Sequence, residues 1–257
     1  MSFYLNPEIM CKIRYTSRNP KFWIQLIILM LRLVLIMTMI RGFLYALARI
    51  RFDILDNFAN DVEEAISGQR DSYIKYLEEE ASKLSEEDKD VFWDYNIDRV
   101  DELRTEYPNT LRSSVLISCY SNLEKTLVDL HKSIRKSSIV PIRKLEDDSL
   151  SGSTIERVAT CIKEDLGITV PFNIDSWSRI IVYKEIRNKV VHELGRISSS
   201  SPLVTKIETL PHVHINNINE IVFENEFSRQ VIYDMKTFVK SLFKEIQEFK
   251  EAHKLMF

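Results

Sequence analysis

Glycine and proline are scarce in this chain, and their scarcity restricts the folds available to it. The sequence has 257 residues but only 5 glycines and 7 prolines. These residue types end helices and form the turns that β-rich folds need at short intervals. With 45% hydrophobic residues, the chain also has enough apolar side chains for a full core. We therefore expect an all-α fold, a bundle of long helices.

Apolar side chains recur at helical spacing over most of the sequence and divide it into three parts. Residues 1–41 form a hydrophobic N-terminal extension, residues 42–106 a long helical arm, and residues 107–257 the main helical domain. Gly68 is expected to interrupt the helix of the arm.

A small β-hairpin is expected ahead of the C-terminal helix. Residues 204–209, 213–215 and 220–223 alternate in polarity or are rich in β-branched side chains, and Asn216 and Asn217 suit a turn. Helical spacing then resumes and continues over residues 226–253.

Residues 22–40 are apolar apart from three side chains. The segment is long enough to span a bilayer, although Arg32 at its centre opposes insertion by about 2.5–3.5 kcal/mol. Three interpretations follow: a membrane anchor, which would place the protein at the inner membrane, a helix buried against a partner or second subunit, or an extension preceding a true start at Met37 or Met39. Basic residues flank both ends, so charge does not fix an orientation.

The overall charge and the cysteines limit the class of protein. A net charge of −3 excludes a uniformly basic nucleic-acid binder, so any RNA site must be a local basic cleft. The 3 cysteines are odd in number and widely spaced, which predicts neither a disulfide framework nor a zinc site. A reducing, cytoplasmic location is expected for residues 42–257. We expect no metal and no cofactor, and no glycine-rich phosphate loop or nucleophile elbow is present.

The run from Ile186 to Glu193 holds the residues best suited to chemistry. Arg187, Asn188 and His192 lie within six positions there. An imidazole can accept or donate a proton near neutral pH, and a guanidinium presents a planar set of donors to a phosphate. These groups suit a ribonuclease that works without a metal ion. Chance would produce this combination in a chain of this length only about 0.01 times.

The motif lies on a predicted amphipathic helix over residues 176–194. Its apolar stripe recurs at steps of three and four and comprises Tyr183, Ile186, Val190 and Leu194. Asp175 or Ser176 is expected to cap the start, and Gly195 is expected to end the helix in a left-handed conformation.

The three motif side chains point in different directions on this helix. Arg187 falls beside the apolar stripe, whereas Asn188 and His192 rotate away from it. Arg187 and His192 are about 140° apart on an ideal helix. A single helix therefore does not bring them onto one small ligand, but two copies facing each other across a two-fold axis would.

Two sequence patterns resemble those of the HEPN superfamily. The first is Arg187-x4-His192 with an Asn after the Arg, and the second is the Tyr-x-x-Leu-Glu-x-x-Leu pattern from Tyr120 to Leu127. The resemblance covers residues 105–252, extends loosely over residues 42–104, and does not include the N-terminal extension. It implies that residues 107–257 form a HEPN-like helical domain, and it implies a homodimer with a composite site in a cleft.

The resemblance also implies an activity. Metal-independent HEPN endoribonucleases cleave RNA by attack of the 2′-hydroxyl on the adjacent phosphate. Here His192 would transfer the proton, Arg187 would hold the phosphate, and Asn188 would orient the imidazole or donate to the phosphate. The supporting residues would be Glu124, Lys184 and Lys189. Such proteins commonly act as toxins or antiphage effectors on tRNA or other RNA, alongside a cognate antitoxin or defence-system partner protein.

Two other functions are consistent with the same sequence. One is a non-catalytic HEPN-type module that binds RNA or a partner protein, in which Glu124 is a surface acid. The other is a membrane-tethered interaction protein whose working part is residues 22–40. Salt-dependent RNA binding without turnover would favour the first, and extraction that requires detergent would favour the second.

Overall fold

The computed structural model describes residues 20–137 and 140–252, with side chains described from residue 42 onward except at 137 and 250. The α-helices of this part are α1 (Pro20–Ala81), α2 (Glu86–Asp101), α3 (Tyr107–Ser137), α4 (Thr154–Thr160), α5 (Asp175–Glu193), α6 (Leu203–Ile207) and α7 (Phe227–Ala252). Its strands are β1 (Val213–Ile215) and β2 (Ile221–Phe223). The structure is 75% helical, with one small two-stranded sheet, so the prediction of an all-α fold is confirmed.

Helix α3 lies at the centre of the bundle. It packs against α1, α4, α5 and α7, and its fully buried side chains include Leu116, Leu123 and Leu127. The middle of α1 contributes Ala48 and Phe52 to the same core. Residues 42–66 of the predicted arm therefore pack as part of the main helical domain.

Helix α1 continues through Gly68, so the predicted break there is wrong. A glycine inside a helix costs about 1 kcal/mol relative to alanine. Packing on both sides offsets this cost, because Ala59 is buried before the glycine and Leu77 and Ala81 are buried after it. Ser85 begins α2 by accepting a hydrogen bond from the backbone N–H of Asp88.

The hairpin forms where the sequence predicts it. Strands β1 and β2 pair in antiparallel register, with Val213 opposite Phe223 and Ile215 opposite Ile221. The first of the three predicted β segments is wrong, since residues 204–209 fall largely within α6. Leu203 and Ile207 are buried four positions apart, and this spacing suits a helix packed on the core better than a strand.

Among the residues whose side chains are described, no helix is long and apolar enough to cross a membrane. The backbone of residues 22–40 belongs to α1, but their side chains lie outside the described set. A membrane or partner contact through that segment stays a prediction.

Candidate functional site

Helix α5 carries the Arg–His motif and begins and ends within one residue of its predicted bounds. The predicted cap at its start is wrong, because Ile174 occupies the cap position and no side chain caps the helix. The predicted left-handed conformation at its end is confirmed. Leu194 and Gly195 adopt left-handed conformations, with φ of 53° and 79°.

Three successive turns of α5 pack on the core through Ile180, Tyr183 and Ile186, which are fully buried. Val190 is half-buried, and Leu194, predicted as the last member of the stripe, is 88% exposed. Leu194 leaves the stripe because its left-handed backbone turns the chain away from the helix axis. The C-terminal turn of α5 therefore projects beyond the core.

A buried carboxylate fixes α5 against α7. Asp234 is 0% exposed and accepts hydrogen bonds from the Ser176 hydroxyl (3.0 Å), the Tyr183 hydroxyl (2.9 Å) and the Gln230 amide (3.1 Å). Arg179 donates to both carboxylate oxygens, at 2.8 and 2.6 Å. Burial, together with the neighbouring Asp234 charge, raises the pKa of Tyr183, so its hydroxyl stays protonated and able to donate.

Sequence reasoning missed this network, although a signal for it exists. Asp234 lies on the buried face of α7, among Val231, Met235 and Phe238. A single acid in an otherwise apolar stripe indicates a buried partner, because an unpaired charge in the core is strongly destabilising.

Arg187 leaves α5 toward α3 and rests on an aromatic ring. Its guanidinium carbon lies 5.5 Å from the centre of the Tyr120 ring, and one terminal nitrogen donates to the Asn188 side-chain oxygen at 3.1 Å. Its Nε is buried and has no hydrogen-bond partner within the described part of the chain. The guanidinium therefore still has N–H groups that can donate hydrogen bonds to a ligand, beside the contact between α3 and α5.

Tyr120 lies among charged groups from three elements. Burial raises its pKa to about 12, and the charge of Glu124 acts in the same direction, whereas Ser153 and Arg187 oppose the rise. Glu124 is half-buried one turn further along α3, and neither a hydrogen bond nor an ion pair to Arg187 is seen for it among the described residues.

The start of α4 faces the middle of α5. The Glu156 carboxylate accepts hydrogen bonds from the backbone N–H (2.8 Å) and the hydroxyl (2.6 Å) of Ser153, and it pairs with Lys184 at 2.9 Å. Burial alone would raise the Glu156 pKa, but the hydrogen bonds from Ser153 and Lys184 outweigh it and lower that pKa to about 2. Glu156 is therefore ionised over the whole neutral range.

His192 occupies the last turn of α5 and is exposed, as is Asn188. Within the described residues, no hydrogen bond joins His192 to Arg187. The two exposed apolar side chains nearest to it in sequence are Val191 (43%) and Leu194 (88%). The single chain thus brings Arg187 together with Asn188 and Tyr120, and it leaves His192 exposed in the last turn of the helix.

Arg187 differs from the other cations of α5 in that each of those is paired with a carboxylate. Arg179 pairs with Asp234, Lys184 with Glu156, and Lys189 with Glu193 at 2.6 Å. In the part of the chain that the structure describes, Arg187 has no carboxylate partner. A cation held by a ring and an amide, rather than by an acid, is available to an anion such as a phosphate.

The described residues contain no group of three or more His, Cys, Asp or Glu side chains placed to hold a metal ion. No protein-family model, curated protein or solved structure matches this chain.

Proposed function

We propose that the protein is a metal-independent endoribonuclease in which Arg187 binds the scissile phosphate and His192 transfers a proton. The observation that carries this proposal is the uncompensated Arg187 guanidinium, with its buried and unpartnered Nε, five positions from an exposed imidazole. The remaining cations of α5 are neutralised by carboxylates and are poorer anchors for a phosphate.

In the reaction, the RNA 2′-hydroxyl attacks the adjacent phosphorus, and the bond from phosphorus to the 5′-oxygen breaks. The products are a 2′,3′-cyclic phosphate and a free 5′-hydroxyl. His192 accepts the proton of the attacking hydroxyl or donates one to the departing 5′-oxygen, and water serves the other transfer. Arg187 offsets the charge that develops on the phosphate oxygens, while Asn188 orients the guanidinium through its side-chain oxygen.

The site is shared between two protomers. Arg187 and His192 are about 140° apart around α5, so one helix does not direct both at a single phosphate. The exposed Val191 and Leu194 next to His192 supply apolar surface that a second copy would cover. A two-fold contact between the C-terminal ends of two α5 helices would bring His192 of one protomer toward Arg187 of the other.

The direct test is RNA cleavage by the purified full chain in a buffer containing a metal chelator. Arg187→Ala and His192→Ala should each lower the cleavage rate by about 10²–10⁴-fold. Arg196→Ala and His214→Ala are matched controls, because both residues are exposed and pair with Glu220 and Glu224 outside the motif. Equal rates for the motif variants and the wild type would overturn the proposal.

We further propose that this activity serves a toxin or an antiphage effector, acting on tRNA or another cellular RNA. Expression of the intact chain should then arrest growth and degrade RNA, and expression of Arg187→Ala should do neither. Growth arrest with intact RNA in both strains would remove this role.

A second candidate function is binding of RNA without cleavage. It is favoured by the position of Arg187 on the Tyr120 ring, away from His192 in the single protomer. Under this alternative, RNA affinity would fall with rising salt and depend on Arg187, while His192→Ala would have no effect.

A further inference from the structure

A basic pocket lies at the C-terminal end of α3, away from the motif residues. It has a volume of about 290 Å³. Helix α3 contributes Lys132, Arg135 and Lys136 to its lining, and Lys144 approaches from the loop that follows. We call this set the basic pocket.

The positive charge of the basic pocket is almost uncompensated. All four cationic side chains are exposed, and none has a carboxylate partner among the described residues. Glu146 is the single acid among the residues lining the pocket. This concentration of charge stands out in a chain whose net charge is −3.

A hydrogen bond and an ion pair hold the helix and the loop that form the basic pocket in place. The buried His131 ring contacts the Arg143 carbonyl oxygen at 3.0 Å and so holds the loop against the helix. Arg143 in turn pairs with Asp165, at the end of the segment that follows α4. Burial lowers the pKa of His131, so the positive charge comes from the lysines and the arginine. The negative end of the α3 dipole favours cations at this position.

Geometry relates the pocket to the Arg187 site. His131 follows Tyr120 by eleven positions on α3, which corresponds to about 17 Å along the axis and an offset of only about 20° around it. His131 itself is buried, and the exposed cations of the pocket are rotated further from Tyr120 around α3, by about 60° for Arg135 and about 120° for Lys132. The basic pocket and the Arg187 contact on Tyr120 are therefore separated both along and around the helix. A strand rising about 3.4 Å per nucleotide would need about five nucleotides to cover the distance.

We propose that the basic pocket binds the phosphates of an RNA strand at a distance from the scissile bond, on the same strand whose scissile phosphate Arg187 holds. The ligand class rests on the proposed function. The pocket supplies affinity for long strands, and Arg187 and His192 act on the phosphate that is cut.

The test compares two RNA lengths on the full chain carrying His192→Ala, which prevents cleavage. Lys132, Arg135, Lys136 and Lys144 are replaced together by Gln. The matched control replaces Lys75, Lys83, Lys240 and Lys244 by Gln, which changes the net charge equally at exposed positions elsewhere. Binding is measured over a range of salt concentrations with single-stranded RNAs of about fifteen and about three nucleotides.

The pocket variant should bind the long RNA about tenfold or more weakly, and its salt slope should fall by up to about 3. The control variant should retain the affinity, and the short RNA should bind both variants equally. Equal weakening by the two variants, or equal weakening for both RNA lengths, would overturn the proposal.

The experiment also distinguishes failure of the pocket proposal from failure of the nuclease proposal. If the wild-type chain cleaves RNA but the pocket variant binds the long RNA normally, the pocket inference alone fails. If the wild type does not cleave RNA yet the pocket variant loses affinity, the nuclease proposal fails and the pocket stands.

Discussion

The guanidinium carbon of Arg187 lies 5.5 Å from the centre of the Tyr120 ring. This contact joins the motif helix α5 to the central helix α3 and restricts where the cation can point. The negative face of the ring holds the positive charge without neutralising it. Arg187 can therefore be both well placed and available to a phosphate.

Replacement of the Tyr120 ring should weaken cleavage through the position of Arg187. Tyr120→Leu removes a cation–π contact of about 0.5–2 kcal/mol, which corresponds to a loss of about 2- to 30-fold in rate. Tyr120→Phe keeps the ring and should cleave RNA at nearly the wild-type rate. RNA cleavage by the two variants is compared alongside their free energies of unfolding. A Phe variant as impaired as the Leu variant would show that the hydroxyl, rather than the ring, matters.

Loss of the Asp234 carboxylate should strongly destabilise the fold. Asp234→Ala leaves the Arg179 guanidinium without its partner and the Tyr183 hydroxyl without its acceptor, beside a fully buried position. Breaking such a pair costs about 3–5 kcal/mol. Urea unfolding measures the loss, and the exposed Asp98→Ala is the control. A loss below about 1 kcal/mol would contradict the structural role assigned to Asp234.

The ionised Glu156 carboxylate should make stability depend on pH in acid. Its folded-state pKa of about 2 is lower than the ordinary value of 4.5. The stabilisation is therefore fully present above about pH 4.5 and is lost as the pH falls toward 2. The difference in unfolding free energy between wild type and Glu156→Gln should shrink over that range. Glu64→Gln, at an exposed position of α1, is the matched control, and a constant difference for Glu156→Gln would refute the assignment.

Local patterns predicted the elements of the fold well. The helical spacing around Arg187 gave the bounds of α5 to within one residue, and the Asn216-Asn217 turn gave the hairpin. The failures came where tertiary packing overrides local preference. Gly68 stays helical because buried residues pack α1 against the core on both sides of it. Residues 204–209 are largely helical because Leu203 and Ile207, four positions apart, are both buried.

The candidate site could be predicted only in part. The helical angle correctly placed Arg187 beside the core and His192 in solvent. The spacing cannot reveal that Tyr120, a core residue of α3, supports the Arg187 guanidinium, because that contact joins residues 67 positions apart in the chain. The carboxylate partner of Lys184 likewise depends on how α4 is placed, whereas Lys189 and Glu193 are four positions apart on α5 and could have been paired from spacing alone.

The central claim is that Arg187 of one protomer and His192 of another act on the same phosphodiester. Arg187→Ala and His192→Ala proteins, each inactive alone, are mixed, allowed to exchange subunits, and assayed for RNA cleavage in the presence of a metal chelator. Random exchange of equal amounts makes half of the dimers mixed, each with one intact site, so activity should return to about a quarter of the wild-type level. A mixture that exchanges subunits and stays as inactive as its components would contradict the shared site.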